Sequence, residues 1–201
     1  MKHIVIKITA FTMLFFISCN NEKQSKDKVK TKKEQESQEK KQSKKNEEVQ
    51  IKKATATLEE TNGSGLSGQV KFTEKDGSVT MEASISGLSE GKHAIHIHEK
   101  GDCSAADGKS AGGHWNPTNS NHGRFGSPKG YHKGDIGNFI TKPDGIGFIS
   151  LTTSEWCINC NDSNKNIVGK SIIVHDGEDD FTSQPSGDAG NRVGCGVINM
   201  K

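Results

Sequence analysis

The sequence predicts an all-β fold in which eight mostly antiparallel strands form one domain. Glycine is abundant, with 23 residues in a chain of 201, whereas aromatic residues make up only 5%. Apolar residues recur at the two-residue period of strands, and the 3.6-residue period of helices is nearly absent. Many short strands joined by glycine-rich turns are typical of an all-β domain.

Short turn sequences separate most of the expected strands. Asp76-Gly77 is a strong hairpin signal, and Pro143-Asp144-Gly145 is a turn tripeptide. Connections this short join antiparallel neighbours. We expect strands at residues 53–60, 65–74, 78–86, 91–98, 135–141, 145–152, 169–175 and 193–200.

One of these strands, Lys92-His93-Ala94-Ile95-His96-Ile97-His98, carries three histidines. Side chains alternate between the two faces of a strand. We expect Ile95 and Ile97 to enter the core and the histidines to face outward. Neutral imidazole is the commonest metal ligand, so neighbouring histidines on one strand indicate a metal site if the chain supplies further ligands.

Two long segments without strand signals interrupt the sheet, at residues 99–134 and 176–191. Long loops without secondary structure in a compact domain are usually functional. We therefore expect both loops to contribute to the site.

Residues 1–19 resemble an export signal. Lys2 and Lys7 form a basic start, and residues 8–18 are uncharged and mostly apolar. The segment ends in Phe16-Ile17-Ser18-Cys19, which resembles a bacterial lipoprotein cleavage box in which Cys19 is lipidated. The alternative is an ordinary cleaved signal. Both interpretations predict an exported protein of the bacterial cell envelope, and the first adds a membrane anchor.

Residues 20–53 are expected to form a disordered charged tether ahead of a domain at 54–201. Ten lysines and seven acidic residues lie between positions 20 and 50, with few apolar residues. The whole chain carries a net charge of +2, but from Ala54 onward 13 basic and 18 acidic residues give about −5. An exported, acidic domain with few aromatic residues argues against nucleic-acid binding.

Seven of the eight histidines lie in the domain, and the eighth, His3, belongs to the signal. Besides the three on the strand, His114, His122 and His132 lie in the first long loop, and His175 lies at the start of the second. Asp135 follows His132 by three residues. Histidines with one carboxylate suit zinc, copper, iron or nickel.

The domain resembles the copper/zinc superoxide dismutase family from about Ala54 to Met200. The resemblance implies a Greek-key β-barrel or sandwich of eight antiparallel strands, and the spacing of Gly101-Asp102-Cys103 is closer to the bacterial periplasmic branch. The motifs that carry it are His96-Ile97-His98, Gly112-Gly113-His114-Trp115-Asn116-Pro117, His122-Gly123, His132-Lys133-Gly134-Asp135-Ile136-Gly137-Asn138, Val174-His175 and Gly190-Asn191-Arg192-Val193-Gly194-Cys195-Gly196-Val197-Ile198.

The resemblance implies a role for each histidine. Copper would be bound by His96, His98, His114 and His175, and zinc by His114, His122, His132 and Asp135, so that His114 bridges the two metals. Asp179 would lie behind the ligands and connect a copper histidine to a zinc histidine, which fixes ring orientation. His93 would be structural and hydrogen-bonded to backbone.

The implied activity is the conversion of superoxide to oxygen and hydrogen peroxide by copper redox cycling, with zinc in a structural role. Arg192 would bind the superoxide anion and His114 would take a proton. The second loop holds five acidic residues and no lysine, so steering cations would have to come from elsewhere. Candidates are Lys109, Lys129 and Lys133.

The resemblance also implies a disulfide between Cys103 and Cys195, which suits an exported protein. It does not explain Cys157-Ile158-Asn159-Cys160. A Cys-x-x-Cys pair can form a loop disulfide, a redox-active thiol pair or a metal site. We favour the loop disulfide, because neither a second cysteine pair nor a βαβ context accompanies it.

Two other functions are less well supported. A copper/zinc-binding envelope lipoprotein could store or deliver metal without turnover, but it would need neither Arg192 nor a bridging histidine, and the resemblance implies both. A zinc hydrolase would need an open zinc position and a general base, whereas the implied zinc set has four ligands. The sequence leaves a monomer and a homodimer equally possible.

Overall fold

The computed structural model describes residues 50–201 and contains nine β-strands and one short 3-10 helix in that range. The predictions for the export signal, for Cys19 and for most of the tether lie outside the described residues. Among residues 50–201, no helix is long and apolar enough to cross a membrane. The strands are β1 (Lys52–Glu60), β2 (Ser67–Lys75), β3 (Ser78–Ser86), β4 (Gly91–His98), β5 (Asp135–Thr141), β6 (Ile146–Thr153), β7 (Ser171–His175), β8 (Arg192–Val197) and β9 (Asn199–Met200).

The first eight strands close into an antiparallel barrel. The order around it is β2-β3-β6-β5-β4-β7-β8-β1, and a further β1–β2 pairing closes the ring. The β2–β3 hairpin turns at Asp76 and Gly77, whose φ values of 51° and 74° are those of a turn with two left-handed residues. The eight-stranded antiparallel fold predicted from the sequence is confirmed.

The last predicted strand differs from the observed one, because it divides at Ile198. The backbone N–H of Ile198 donates to the Lys170 carbonyl at 2.8 Å, and the Ile198 carbonyl accepts from Gly169 at 2.9 Å. These bonds take Ile198 out of the ladder with β1, and its side chain is fully buried. Residues 199–200 then pair with β1 as β9.

The barrel interior holds one main hydrophobic core. Its largest fully buried side chains come from most of the strands and from the loop between β6 and β7; they are Trp156, Phe72, Leu58, Met81, Ile85, Ile95, Ile97, Ile158, Ile167, Ile172 and Ile198. Burying an aliphatic or aromatic side chain of this size contributes about 1.5–3 kcal/mol. The core therefore gives a rigid frame for the loops that leave it.

The strand β4 is buried along most of its length, which the prediction that its histidines face outward did not anticipate. Both isoleucines enter the core as expected, but His93, His96 and His98 are each at most 2% exposed. For His93 the prediction is wrong, because side chains two residues apart share a face and strict alternation puts His93 with Ile95 and Ile97. Its ring lies beside the core ring of Phe139, with centroids 5.8 Å apart. For His96 and His98, on the opposite face, the alternation could not show that the long loops cover them.

The structure contains two disulfides within the described range. Cys103–Cys195 joins the first long loop to β8, with the Cα atoms 5.8 Å apart, and confirms the implied pairing. Cys157–Cys160 closes a turn between β6 and β7, which confirms the loop-disulfide interpretation. Cys103 and Cys195 pack with Ala111 and Ile173 in a small second cluster.

The two disulfides should differ in their contribution to stability. The Cys103–Cys195 bond spans 92 residues of sequence, whereas Cys157–Cys160 spans three. A crosslink restricts the unfolded chain more when its loop is longer. C103A/C195A should therefore lower the free energy of unfolding by about 4–5 kcal/mol, and C157A/C160A should lower it by about 2 kcal/mol. Urea unfolding of the metal-free chains measures both values, and equal losses would contradict the expectation.

Candidate metal centre

Two groups of four side chains have ligand atoms close enough to hold an ion. Within each group the candidate ligand atoms all lie within 4.8 Å of one another. One group, the all-histidine group, consists of His96, His98, His114 and His175; the other, the aspartate group, consists of His114, His122, His132 and Asp135. All seven residues are buried, and His114 belongs to both groups.

The end of β4 brings several of these side chains together. β4 pairs with β5 up to Ile95, after which the register shifts so that His96 lies opposite Asp135. On its other side β4 pairs with β7, the strand that ends at His175. Asp135 and His175 therefore come from the two strands that flank His96.

The first long loop returns to β4 beside His98. The Trp115 N–H donates to the Ile97 carbonyl at 2.8 Å, and the Ile97 N–H donates to Gly134 at 2.9 Å. A Cβ atom on Gly134 would lie 2.1 Å from the Ile97 carbonyl oxygen, so only glycine allows this approach. The contact aligns His114 with His98 in an isolated β-bridge.

In the all-histidine group, one nitrogen of each ring is hydrogen-bonded and the other is unpaired. His96 is hydrogen-bonded to Asp179 at 2.8 Å, and His114 to Asp135 at 2.8 Å. His98 is hydrogen-bonded to the Gly112 carbonyl at 2.9 Å, and His175 to the Gly190 carbonyl at 3.4 Å. The buried nitrogens without a partner are His96 Nδ1, His98 Nε2, His114 Nε2 and His175 Nε2.

The aspartate group holds two further unpaired ring nitrogens beside Asp135. His122 Nδ1 and His132 Nδ1 lie 3.0 and 3.2 Å from the Asp135 carboxylate, yet neither makes a hydrogen bond. Backbone N–H groups of Gly123 and His132 fix that carboxylate at 3.1 and 2.7 Å. Buried polar atoms are rarely left without partners, so unpaired ligand atoms that converge in two groups fit two metal ions. Imidazole nitrogen suits copper and zinc, and the added carboxylate suits zinc.

Asp179 connects the two groups from behind. Its two oxygens accept hydrogen bonds from His96 Nε2 at 2.8 Å and from His122 Nε2 at 2.9 Å, and the residue is fully buried. A Cβ atom on Gly187, where φ is +73°, would lie 2.0 Å from Asp179 Oδ1. Glycine at 187 is therefore required for the loop to cover this carboxylate.

The two groups differ in their electrostatics. Burial, followed by the neighbouring His114 and Arg192, holds the pKa of His98 well below its ordinary value, and burial lowers the pKa of His175 in the same way. Burial also lowers the pKa of His114 to about 4. Burial also lowers the pKa of His122, but the carboxylates of Asp135 and Asp179 outweigh this effect and raise the pKa to about 9. The rings of His98, His114 and His175 are thus neutral, while the carboxylate of Asp135 attracts a cation.

A cavity of about 380 Å³ opens onto the all-histidine group. His98, His114 and His175 line it together with Arg192, Gly190 and Pro185. The Arg192 guanidinium donates to the carbonyls of Gly108 and Gly112, at 2.8 Å each. A larger cavity of about 480 Å³ lies beside β5 and β6, but none of the seven metal-group residues lines it.

The structure brings together every site residue that the sequence analysis named within the described range. His93 is also where the resemblance implied, hydrogen-bonded to the carbonyls of Ser89 (2.9 Å) and His175 (3.3 Å). Two of the suggested steering cations are paired with carboxylates, Lys109 with Asp107 and Lys133 with Glu155. Superoxide steering by these lysines and Lys129 remains a prediction.

Two side chains that hold the site were missed by the sequence analysis. Asn138 on β5 exchanges two hydrogen bonds with the Asp179 backbone, both 2.8 Å long. Gln184 exchanges two with the His122 backbone, at 2.8 and 3.0 Å. These pairs are 41 and 62 residues apart in sequence, so no local pattern indicates them.

Comparison with known proteins identifies the family. The sequence profile of copper/zinc superoxide dismutase matches residues 66–198. The chain belongs to the copper/zinc superoxide dismutase family. Superoxide dismutation, an oxidoreductase reaction with copper and zinc as cofactors, is therefore its activity.

Individual relatives cover most of the domain. Copper/zinc superoxide dismutase 5 of Dictyostelium discoideum is 38% identical over 148 residues, which are 69% of this chain and 93% of that protein. Copper/zinc superoxide dismutase 2 of Aquifex aeolicus is 35% identical over 148 residues, 71% of this chain and 84% of that protein. The crystal structure of the clock protein EA4 is 31% identical with a TM-score of 0.65, and the match covers 74% of this chain and 94% of that one.

Replacing Asp179 by asparagine should weaken the binding of both metals. An asparagine has one acceptor oxygen, so its amide would turn a donor toward either His96 or His122. Loss of such a supporting hydrogen bond typically costs about 10–100-fold in metal affinity. Competition with chelators measures the affinities, with D144N in an exposed turn as the charge-matched control. Affinities equal to those of the control would contradict the role of Asp179.

Proposed function

We propose that the all-histidine group binds copper and the aspartate group binds zinc. The support is the set of unpaired ligand atoms: His96 Nδ1, His98 Nε2, His114 Nε2 and His175 Nε2 toward copper, and His122 Nδ1 and His132 Nδ1 with Asp135 toward zinc. His114 Nδ1 lies 2.8 Å from Asp135 and completes the zinc set. When bound, copper supplies one-electron redox chemistry, and zinc, which has none, supplies a fixed charge.

His114 is the residue on which the proposal depends. Its two ring nitrogens face the two ligand groups, and its side chain is only 2% exposed. When Nε2 is free of copper, it can hold a proton and give it to a reduced substrate in the adjoining cavity. Without metal, Asp135 fixes the ring through Nδ1 at 2.8 Å; zinc would hold that nitrogen and Asp135 together, so Nε2 keeps its direction while a proton is taken up and released.

Arg192 is proposed to bind the superoxide anion. The guanidinium lines the same cavity as His98, His114 and His175, and two backbone carbonyls hold it in one orientation. A guanidinium remains charged at any ordinary pH. The positive charge therefore attracts and orients an anion beside the copper ligands.

Metal storage or delivery without turnover is the alternative, and it gives no reason for Arg192 to be held in the cavity. Purified full-length chain should contain one copper and one zinc and should consume superoxide rapidly. A fully loaded chain without turnover would favour storage or delivery instead.

The location of the protein is also a proposal. We infer that residues 1–19 direct export, that Cys19 carries a lipid anchor to the envelope membrane, and that residues 20–51 tether the domain. The predicted boundary at residue 54 is two residues late, because β1 begins at Lys52. Disulfides are typical of oxidising compartments, and the domain has two. A related protein of Caenorhabditis elegans, 36% identical over 139 residues (66% of this chain and 61% of that protein), is an extracellular superoxide dismutase. Mass spectrometry of the mature N-terminus tests whether Cys19 carries a lipid.

A homodimer is tested separately by analytical sedimentation, which measures the mass of the protein in solution.

Replacing Arg192 by alanine should reduce turnover without removing metal. A hydrogen bond to a charged group contributes about 1.5–3 kcal/mol, so kcat/KM should fall about 10- to 100-fold. R192K keeps the charge but lacks the forked guanidinium geometry, so its kcat/KM should fall less than that of R192A. The matched control is R124A, because Arg124 is exposed, lies over the Phe181 ring and does not line this cavity. Unchanged turnover in R192A with full metal content would refute the assignment.

A further inference from the structure

The segment between β6 and β7 contacts the turn that carries His132. This segment, residues 154–170, includes the Cys157–Cys160 disulfide, which has no part in the proposed chemistry. Two of its residues, Glu155 and Trp156, lie directly before Cys157. They face the His132 turn, defined as residues 131–135.

Three contacts join Glu155 and Trp156 to both sides of His132. The Tyr131 hydroxyl donates a hydrogen bond to Glu155 Oε1, and Lys133 Nζ forms an ion pair with Glu155 Oε2. The Trp156 Nε1–H donates to the Lys133 carbonyl at 2.9 Å. The residues before and after His132 are therefore both held by one neighbouring segment.

Trp156 transmits the rigidity of the barrel core to this contact. Its side chain is 1% exposed and meets the ring of Phe72 edge-on, with centroids 6.4 Å apart. The Phe125 ring lies 5.8 Å from the indole, and the same Phe125 ring is 4.9 Å from the ring of Tyr131. The indole cannot shift without disturbing the core, so the Lys133 carbonyl has a fixed partner.

The disulfide closes the turn on which Glu155 and Trp156 depend. The Cys157 N–H donates to the Lys165 carbonyl at 2.8 Å, and the Cys157 carbonyl accepts from the Ile167 N–H at 3.1 Å. These two bonds bring the ends of the turn together. The Ile158 N–H donates to Glu74 on β2 at 2.7 Å. The disulfide covalently limits how far the turn can open away from the barrel.

We propose that Glu155 and Trp156, backed by the Cys157–Cys160 disulfide, are positioning residues that preform the zinc site through His132. The inference rests on the zinc ligands assigned under the proposed function. A ligand on a free loop loses conformational entropy when it binds metal, whereas a ligand already held in place does not. Removing the supporting contacts of a ligand typically lowers metal affinity about 10–100-fold.

Zinc titration of the full chain against a competing chelator tests the proposal. E155A, which loses both side-chain contacts, should bind zinc about 10–100-fold more weakly than wild type. E155Q keeps an acceptor for Tyr131 and should recover part of that loss. E82Q removes a carboxylate from an exposed position on β3 and should bind zinc like wild type.

The coordination itself has a spectroscopic readout. Cobalt(II) placed in the zinc site has visible absorption bands that report its ligand geometry. E155A and C157A/C160A should alter these bands, while a residue that only stabilises the barrel would lower the free energy of unfolding of the metal-free chain and leave the bands unchanged.

H132A separates failure of this inference from failure of the ligand assignment. If H132A loses zinc but E155A binds it as tightly as E82Q does, the positioning role is overturned and the ligand assignment stands. If H132A binds zinc like wild type, the ligand assignment is wrong and the inference falls with it. Loss of affinity in both H132A and E155A, with recovery in E155Q, supports the proposal.

Discussion

One buried carboxylate, Asp179, accepts a hydrogen bond from His96 and another from His122, and so fixes rings on both sides of the metal centre. Each of these rings uses Nε2 for the carboxylate and leaves Nδ1 unpaired. The position of Asp179 depends in turn on Asn138, which bonds to its backbone, and on Gly187, which has no side chain to displace it. The second loop thereby ties its own position to strand β5 and to the first loop.

The same arrangement couples the stability of the fold to its metals. Six imidazole nitrogens in the centre are buried without a hydrogen-bond partner. An unsatisfied buried group costs about 1–3 kcal/mol, so metal binding should raise the free energy of unfolding. Metal binding removes this cost and is therefore coupled to the order of both loops. The Cys103–Cys195 disulfide limits how far the first loop can separate from β8 when metal is absent.

The sequence predicted the elements of this molecule better than their packing. Strand periodicity and turn residues located eight strands, because those signals are local. The clustering of His114, His122 and His132 ahead of Asp135 indicated a metal site, and the family resemblance supplied the ligand sets. Alternation along β4 could not show that His96 and His98 are buried, since the loops that cover them are distant in sequence, and it was misapplied to His93, which shares the face of Ile95 and Ile97. The contacts of Gln184 and Glu155 could not be predicted either, because their partners are distant in sequence and no local pattern indicates them.

The proposed chemistry requires His114 to lie between a copper and a zinc ion. Anomalous X-ray diffraction, recorded at the copper and zinc absorption edges on crystals of the metal-loaded protein, locates each ion. We expect one copper peak on the Nε2 side of His114, among His96, His98 and His175, and one zinc peak on the Nδ1 side, beside Asp135. A single ion, or two ions that do not flank His114, would contradict the proposed chemistry.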